Sequence, residues 1–395
     1  MKTCPGRVPE PLARALAERG YGDLTAVQRA VLAVDPPTRD MLVSAPTGSG
    51  KTVALGLALA PLLLGGSGPE ARRRALVLVP TRELAQQVAR ELAWLYGFTS
   101  VRHACCIGGA DARAERERLR TGIDLVVGTP GRLRDHVARR AFDPAAIGVV
   151  ALDEADDMLD LGFREDLDAL LAAVGPARQT LMLSATVTLR VETLAARFLR
   201  DPARIAAEAP GGASGGSSVR FEAVTVAAAD REAAVVNILR LHDARGAIVF
   251  CARRASVAGL AERLEARGFA VVGLSGEMPQ RERGAALAAM RSGRARICVA
   301  TDLAARGLDL PGLDLVVHAD MPVSAAALTH RSGRTGRAGR SGRAVLVVAH
   351  GERRRAEALL RRAGVAAHWA AAPCLEAIRT QDEATLLSDA RLAAP

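Results

Sequence analysis

The sequence predicts two α/β domains in tandem, each a mostly parallel sheet with helices on both faces. Three observations carry that expectation. Short apolar runs alternate with helical patterns along most of the 395 residues, the pattern of strands joined by covering helices. Residues 209–218, Ala-Pro-Gly-Gly-Ala-Ser-Gly-Gly-Ser-Ser, hold four glycines and three serines and interrupt the alternation as a flexible linker. A second strand–helix series then begins. The expected division is therefore a first domain over 1–208, a linker at 209–219, a second domain over 220–350 and a short helical extension at 351–395.

Taken in order, residues 10–19 and 25–34 read as short helices separated by Gly20-Tyr21-Gly22. Met41-Leu42-Val43-Ser44 reads as a strand, and the apolar run Val53 to Leu64 as a helix. Strand-like runs follow at 75–79, 101–107, 123–127, 147–152 and 180–184. Beyond the linker they recur near 221–226, 246–251, 270–274, 296–300, 314–318 and 343–349. The stretch 351–395 reads as helical. Seven arginines stand against two glutamates between 340 and 362; an exposed amphipathic helix with pairs such as Arg353 and Glu357 accounts for them.

Composition narrows the function classes. Hydrophobic residues make up 49% of the chain but aromatics only 3%, so the cores are built from Ala, Leu and Val. The formal net charge of +10 suits a polyanionic partner, although a solvated basic surface would show the same excess. With few aromatics, contacts to backbone phosphate are expected over base stacking. Cys4, Cys105, Cys106, Cys251, Cys298 and Cys374 form no CxxC pair, which argues against a disulfide framework or a zinc site. The N-terminus shows no apolar signal region, and the longest apolar run is too short to span a bilayer. A soluble cytoplasmic protein with no membrane contact is the expectation.

The chemistry centres on Ala45-Pro46-Thr47-Gly48-Ser49-Gly50-Lys51-Thr52, between the strand ending at Ser44 and the helix that follows. Gly48 and Gly50 let backbone N–H groups turn inward around phosphate oxygens, and the helix N-terminus adds positive partial charge. Lys51 would reach the β- and γ-phosphates, and Thr52 would meet Mg²⁺. The usual pattern opens with Gly, where this chain has Ala45; a glycine turn before a core helix would explain the loop alone. The chain holds only two lysines, Lys2 and Lys51, and every other strong base is arginine. A phosphate loop wants a compact ammonium on a flexible stem, and lysine stands where that chemistry is needed.

The second informative run is Val149-Val150-Ala151-Leu152-Asp153-Glu154-Ala155-Asp156. An apolar strand ends in adjacent carboxylates. Asp153 would serve Mg²⁺ opposite Thr52, and Glu154 would orient or deprotonate an attacking water.

The string Asp153-Glu154-Ala155-Asp156 is the signature of the DEAD-box ATP-dependent RNA helicases of superfamily 2, and the chain resembles them, in a bacterial form, from residue 20 to about 350. The resemblance implies that Tyr21 and Gln28 read adenine and that ATP and Mg²⁺ occupy the loop. It implies RNA-backbone contacts at Thr81 and Arg82, at Gly108 and Gly109, and at Thr129, Pro130, Gly131 and Arg132. Ser184 and Thr186, with Asp156, resemble the motif that links hydrolysis to strand separation. In the second domain Gly276 and Thr301 would touch RNA and Asp309 the ribose. His330-Arg331-Ser332-Gly333-Arg334-Thr335-Gly336-Arg337 is similar to the family's arginine-finger motif. There Arg334 and Arg337 would serve the γ-phosphate and His330 the coupling. Two RecA-like domains, closing on ATP and on RNA read with little sequence specificity, are thus implied, with the C-terminal extension open to protein partners.

Departures from the family pattern fall outside the phosphate chemistry. Prolines that usually precede the glutamine are absent from Leu24-Thr25-Ala26-Val27-Gln28, and residues 1–20 contain no Phe, Tyr or Trp. Ser275 stands for a common histidine, Ala252 for a polar residue, and Ala326 and Leu328 for Glu and Tyr. A non-hydrolysing RNA clamp and a DNA translocase of the same superfamily are the rival readings. The first is disfavoured because Lys51, Thr52, Asp153, Glu154, Arg334 and Arg337 are all present.

Overall fold

The computed structural model describes residues 8–46, 48–65, 74–175, 178–207, 219–276, 278–307, 310, 312–336 and 341–388. The expectations placed on Thr47, Asp309 and Arg337, and the linker at 209–218, lie outside them. Two units emerge. The first holds strands β1 Met41–Ser44, β2 Arg74–Leu78, β3 His103–Cys106, β4 Leu125–Gly128, β5 Ile147–Leu152, β6 Gln179–Ser184 and β7 Ala203–Ala206. Its helices are α1 Glu10–Glu18, α2 Ala26–Leu32, α3 Lys51–Leu64, α4 Arg82–Leu95, α5 Ala112–Arg120, α6 Pro130–Ala138, α7 Ala155–Asp160, α8 Arg164–Val174 and α9 Leu189–Phe198.

The second unit holds β8 Val219–Val226, β9 Ala247–Phe250, β10 Val271–Leu274, β11 Ile297–Ala300, β12 Leu315–His318, β13 Gly342–Ala349 and β14 Ala367–Ala371. Its helices are α10 Arg231–His242, α11 Arg254–Ala266, α12 Gln280–Arg291, α13 Asp302–Ala305, α14 Ala325–Ser332, α15 Arg353–Arg362 and α16 Leu375–Ser388.

The strand order is β3-β4-β2-β5-β6-β1-β7 in one sheet and β10-β11-β9-β12-β13-β8-β14 in the other. Every described pairing is parallel. A parallel sheet needs cover on both faces, so its strands are apolar throughout. In the first unit Val43, Val77 and Ala151 point into the core with α2, α3 and α4. Their neighbours Leu42, Leu76 and Val150 point into the other, with α6, α8 and α9. Ala, Leu and Val fill these layers almost alone, as the low aromatic content required.

Register aligns the strand ends. Ser44 lies opposite Ser184, Leu78 opposite Gly128 and Leu152, and Cys106 opposite Gly128. The segments that follow, 45–46, 48–50, 79–81, 107–109, 129–130, 153–154 and 185–186, therefore collect at one carboxyl edge, the edge where open parallel sheets bind ligands.

Both ends of the strand count differ from expectation. The sequence reading has no strand at Ala203–Ala206, yet β7 pairs with β1. The expected helical extension from 351 contains β14, which pairs parallel with β8, so the second sheet continues past residue 350. Both are edge strands rich in alanine, with no continuous apolar run to announce them. Partner strands and packing create them: Trp369 of β14 packs against the core beside Leu359 and Leu360, and Arg353 lies 4.8 Å over its ring. Val219, expected in the linker, already belongs to β8.

Candidate functional site

The glycine loop is set by backbone conformation. Gly50 caps α3 at φ 88°, ψ 27°, and Gly48 has φ 84°. Both values lie in the left-handed region that side chains avoid. At Gly50 a Cβ would also come within 2.6 Å of the Gln28 amide nitrogen. The loop thus closes only with glycine, and α3 begins at Lys51 with its N-terminal N–H groups at the carboxyl edge. Ala45 is buried and its N–H donates to the Ser184 carbonyl at 3.1 Å.

Inside this loop two polar atoms are buried without a hydrogen-bond partner among the described residues, Ser49 Oγ and Lys51 Nζ. A buried ammonium left without an acceptor is costly unless a ligand supplies one. Facing it is Asp153, 3% exposed. Burial pushes the Asp153 carboxyl up to about 7, with Glu154 adding to the rise and the Lys51 ammonium opposing it. The pair is therefore close and under-compensated. These groups fit a phosphate with a divalent cation: the ammonium has no hydrogen-bond acceptor among the described residues, and the buried carboxylate lacks a full counter-charge.

Glu154 stands at φ 56°, ψ 55°, left-handed for a residue with a side chain. Its N–H donates to Asp153 Oδ1 at 3.0 Å. Such a conformation costs on the order of 1 kcal/mol and recurs at functional sites. Asp156, on the first turn of α7, accepts from Thr186 N at 3.0 Å and from Thr186 Oγ1 at 2.7 Å. Ser184 Oγ donates to the Thr186 carbonyl at 2.7 Å. Asp156, Ser184 and Thr186 are thus one cluster, bonding the turn after β5 to the turn after β6.

Gln28 is buried beside the loop. It forms a capping box with Thr25, accepting from Thr25 N at 2.9 Å, and its Nε2 donates to the Gly50 carbonyl at 3.3 Å. Its amide thus braces the phosphate loop. Tyr21 is 52% exposed and packs against Trp94 with ring centroids 5.9 Å apart. Trp94 escaped the sequence reading because it sits in an ordinary amphipathic helix.

The other expected contact residues also line the edge. Thr81 caps α4, accepting from Leu84 N at 3.2 Å. Arg82 follows it, its guanidinium against Gly108 and Gly109. Thr129 precedes α6, with Pro130 at its first turn and Gly131 next. Arg132 departs from expectation. It is largely buried; its Nε donates to the Ile107 carbonyl at 2.9 Å, another guanidinium nitrogen donates to the Ala110 carbonyl at 2.7 Å, and the group pairs with Glu115 at 3.3 Å. A planar fork matches two carbonyls and a carboxylate better than a mobile phosphate, so Arg132 shapes the loop.

In the second unit Thr301 caps α13, accepting from Ala304 N at 3.3 Å. Gly276 follows β10, His330 lies on α14 and Arg334 follows its C-cap Gly333. Arg331, to which the sequence reading gave no role, is 2% exposed and clamps Asp302 through two bonds of 2.5 and 2.7 Å.

The chain is similar to known proteins over most of its length. The DEAD/DEAH box helicase profile matches residues 25–194, and the helicase conserved C-terminal domain matches residues 230–339. The ATP-dependent RNA helicase DeaD of Escherichia coli K12 is 37% identical over 346 residues, covering 87% of this chain and 54% of the relative. DeaD of Mycobacterium tuberculosis H37Rv is 35% identical over 369 residues, covering 93% and 64%. The chain spans about half to two thirds of the length of the curated relatives it matches. Dbp5 of S. cerevisiae, solved bound to RNA and ADP BeF3, shares the fold with a TM-score of 0.82 at 23% identity, covering 95% of this chain and 97% of Dbp5. No helix among the described residues is long and apolar enough to cross a membrane.

Proposed function

The chain belongs to the DEAD-box helicase family, and we propose that it is an RNA-dependent ATPase that uses ATP binding and hydrolysis to remodel RNA duplexes and RNA–protein complexes. The observation that carries this reading is the unpartnered Lys51 ammonium facing buried Asp153 at the mouth of the glycine loop. A triphosphate supplies the missing anion. Backbone N–H groups around Gly48 and Gly50 and the α3 N-terminus hold its phosphates, and Lys51 neutralises them. Thr52 and Asp153 are the residues that would hold Mg²⁺, which when bound supplies charge neutralisation at the phosphates. Glu154, fixed by its left-handed backbone, takes the proton of the attacking water. Gln28 and Tyr21 are the proposed adenine contacts, and Gln28 would sense the loop through its bond to the Gly50 carbonyl.

Coupling is proposed to run through Asp156. Its two bonds to Thr186 join the hydrolytic turn to the turn after β6, so a shift of one is felt by the other. Thr81, Arg82, Gly108, Gly109, Thr129, Pro130 and Gly131 form the RNA-backbone surface of the first unit, with Gly276 and Thr301 in the second. Arg334 and Arg337 are the proposed source of γ-phosphate stabilisation, Asp309 of the ribose contact and His330 of coupling; family resemblance supports these three assignments. That Dbp5 was solved with RNA and a nucleotide analogue supports RNA as the polymer. A cytoplasmic location is part of this proposal, although plant relatives are named as chloroplastic or mitochondrial.

The test is ATP turnover with poly-RNA, with single-stranded DNA and with neither. Stimulation by RNA alone is expected. Equal stimulation by DNA would replace the RNA reading with a translocase, and no hydrolysis under any condition would leave a nucleotide-gated clamp.

A further inference from the structure

Glu115 is a buried carboxylate on α5 that no motif marks. Its Oε1 accepts the Ile107 N–H at 3.0 Å. Its Oε2 lies 2.7 Å from His136 Nε2 and 3.3 Å from Arg132 Nε. His136 is fully buried on α6, and its Nδ1 has no partner among the described residues. Among the described residues Glu115 is therefore the hydrogen-bond partner that orients the ring. Arg132, one turn earlier on α6, holds the carbonyls of Ile107 and Ala110. Backbone groups on both sides of Gly108-Gly109 are thus held by one three-residue cluster.

The held turn is open at its centre. Gly109 has φ 83°. Neither the Gly108 nor the Gly109 N–H donates to another described residue. The Arg82 guanidinium lies so close that a Cβ on Gly109 would meet it at 2.7 Å. Two free N–H groups beside a guanidinium form an anion seat of the kind that receives a backbone phosphate.

We propose that Glu115, His136 and Arg132 form a buried brace that positions Gly108 and Gly109 to receive an RNA phosphate; the proposal rests on the RNA-binding reading above. They are positioning residues, since none of the three reaches the seat by any recorded bond. The same cluster has the composition of a metal site, with ligand atoms of Cys106, Glu115 and His136 within 4.8 Å of one another. Its electrostatics oppose a cation. The Arg132 guanidinium already compensates Glu115, and burial together with the Glu115 charge pushes the Cys106 thiol up, away from the thiolate that a metal would need.

Two readouts on the full chain test the brace. Hydrogen exchange over residues 107–111 needs no RNA. Glu115→Ala is expected to speed it about tenfold or more, the scale of losing hydrogen bonds to a charged group, while Glu115→Gln, whose single amide oxygen can still accept the Ile107 N–H, restores most of the protection. In the second readout Glu115→Ala raises the RNA concentration for half-maximal ATPase about tenfold, with nucleotide affinity in the absence of RNA unchanged. Should Glu115→Ala unfold the unit, Arg132→Lys serves, because an ammonium cannot bridge two carbonyls in the fixed plane of the fork; the same two shifts are expected. Unchanged exchange at 107–111 in a folded variant overturns the brace. Faster exchange with an unchanged RNA requirement overturns its link to RNA. A wild-type protein that ignores RNA refutes the functional reading instead, and the exchange result then still decides whether the brace exists.

Discussion

The two units are wound identically, and one carries the proposed phosphate site while the other, at the same point of the winding, holds an ion pair. Each strand of the second sheet occupies the place of the strand seven earlier in the first. In the first unit β1 leads through the glycine loop to α3, whose first residue is Lys51 facing Asp153 just past β5. In the second, β8 leads through Ala227-Ala228-Ala229-Asp230 to α10, whose first residue is Arg231. Arg231 bonds Asp320, two residues past β12, at 3.0 Å and Glu352 at 2.7 Å. Asp320 also accepts the Ala252 N–H at 2.8 Å. The winding brings a helix-start cation and a strand-end carboxylate together in both units. Left-handed glycines open the first for an anion; without them, and with a second carboxylate at hand, the second is closed.

The largest effect that would break this comparison lies at Lys51. Lys51→Ala should lower nucleotide affinity about a hundredfold or more, as truncating a desolvated charge partner does, and reduce ATP turnover to background. Near-wild-type affinity in a titration with labelled nucleotide would end the phosphate-loop assignment. Glu154→Gln should slow turnover roughly 10²–10⁴-fold and leave nucleotide binding intact, because the amide keeps the shape but takes no proton. Turnover within a few-fold of wild type would mean that another group is the base.

Smaller effects sharpen it. Arg231→Ala, the counterpart of the lysine substitution, should leave nucleotide affinity unchanged. It should lower stability by about 1–3 kcal/mol, read from denaturant midpoints, since it strands the partly buried Asp320. A fall in nucleotide affinity matching that of Lys51→Ala would show the two positions to be equivalent after all. Smallest is Thr25→Ala, which removes the cap of α2 and loosens Gln28 against Gly50. A loss of about 1 kcal/mol in stability is expected, with a modest rise in the nucleotide concentration needed for half-saturation. Unchanged stability would mean the capping box is redundant with packing around Val27 and Val31.

Most of the architecture, and the groups of the proposed phosphate site, could be read from residue order. The apolar runs of a doubly covered parallel sheet are continuous, and the glycine loop and strand-end carboxylates announce themselves because backbone conformation and charge leave few alternatives there. Edge strands β7 and β14 could not be read that way. Ala203–Ala206 and Ala367–Ala371 carry no apolar pattern, and pairing with β1 and β8 is what makes them strands. The roles of Arg132, Gln28 and Glu115 were equally hidden. An arginine after a strand reads as a phosphate ligand, a glutamine after a glycine–aromatic turn gives no sign of its bond to the Gly50 carbonyl, and nothing in the sequence marks Glu115.

What the amino-acid order determined by itself was therefore local: which segments are strands, where glycine frees the backbone, which carboxylates end a strand. What the tertiary structure alone decided was partnership. Among the described residues Lys51 is left without an acceptor, whereas Arg231 is given two. Arg132 is turned onto carbonyls 25 and 22 residues away in sequence. The physical reason is that a charged side chain takes its function from the groups that remain to satisfy it once the sheet has brought distant strand ends together.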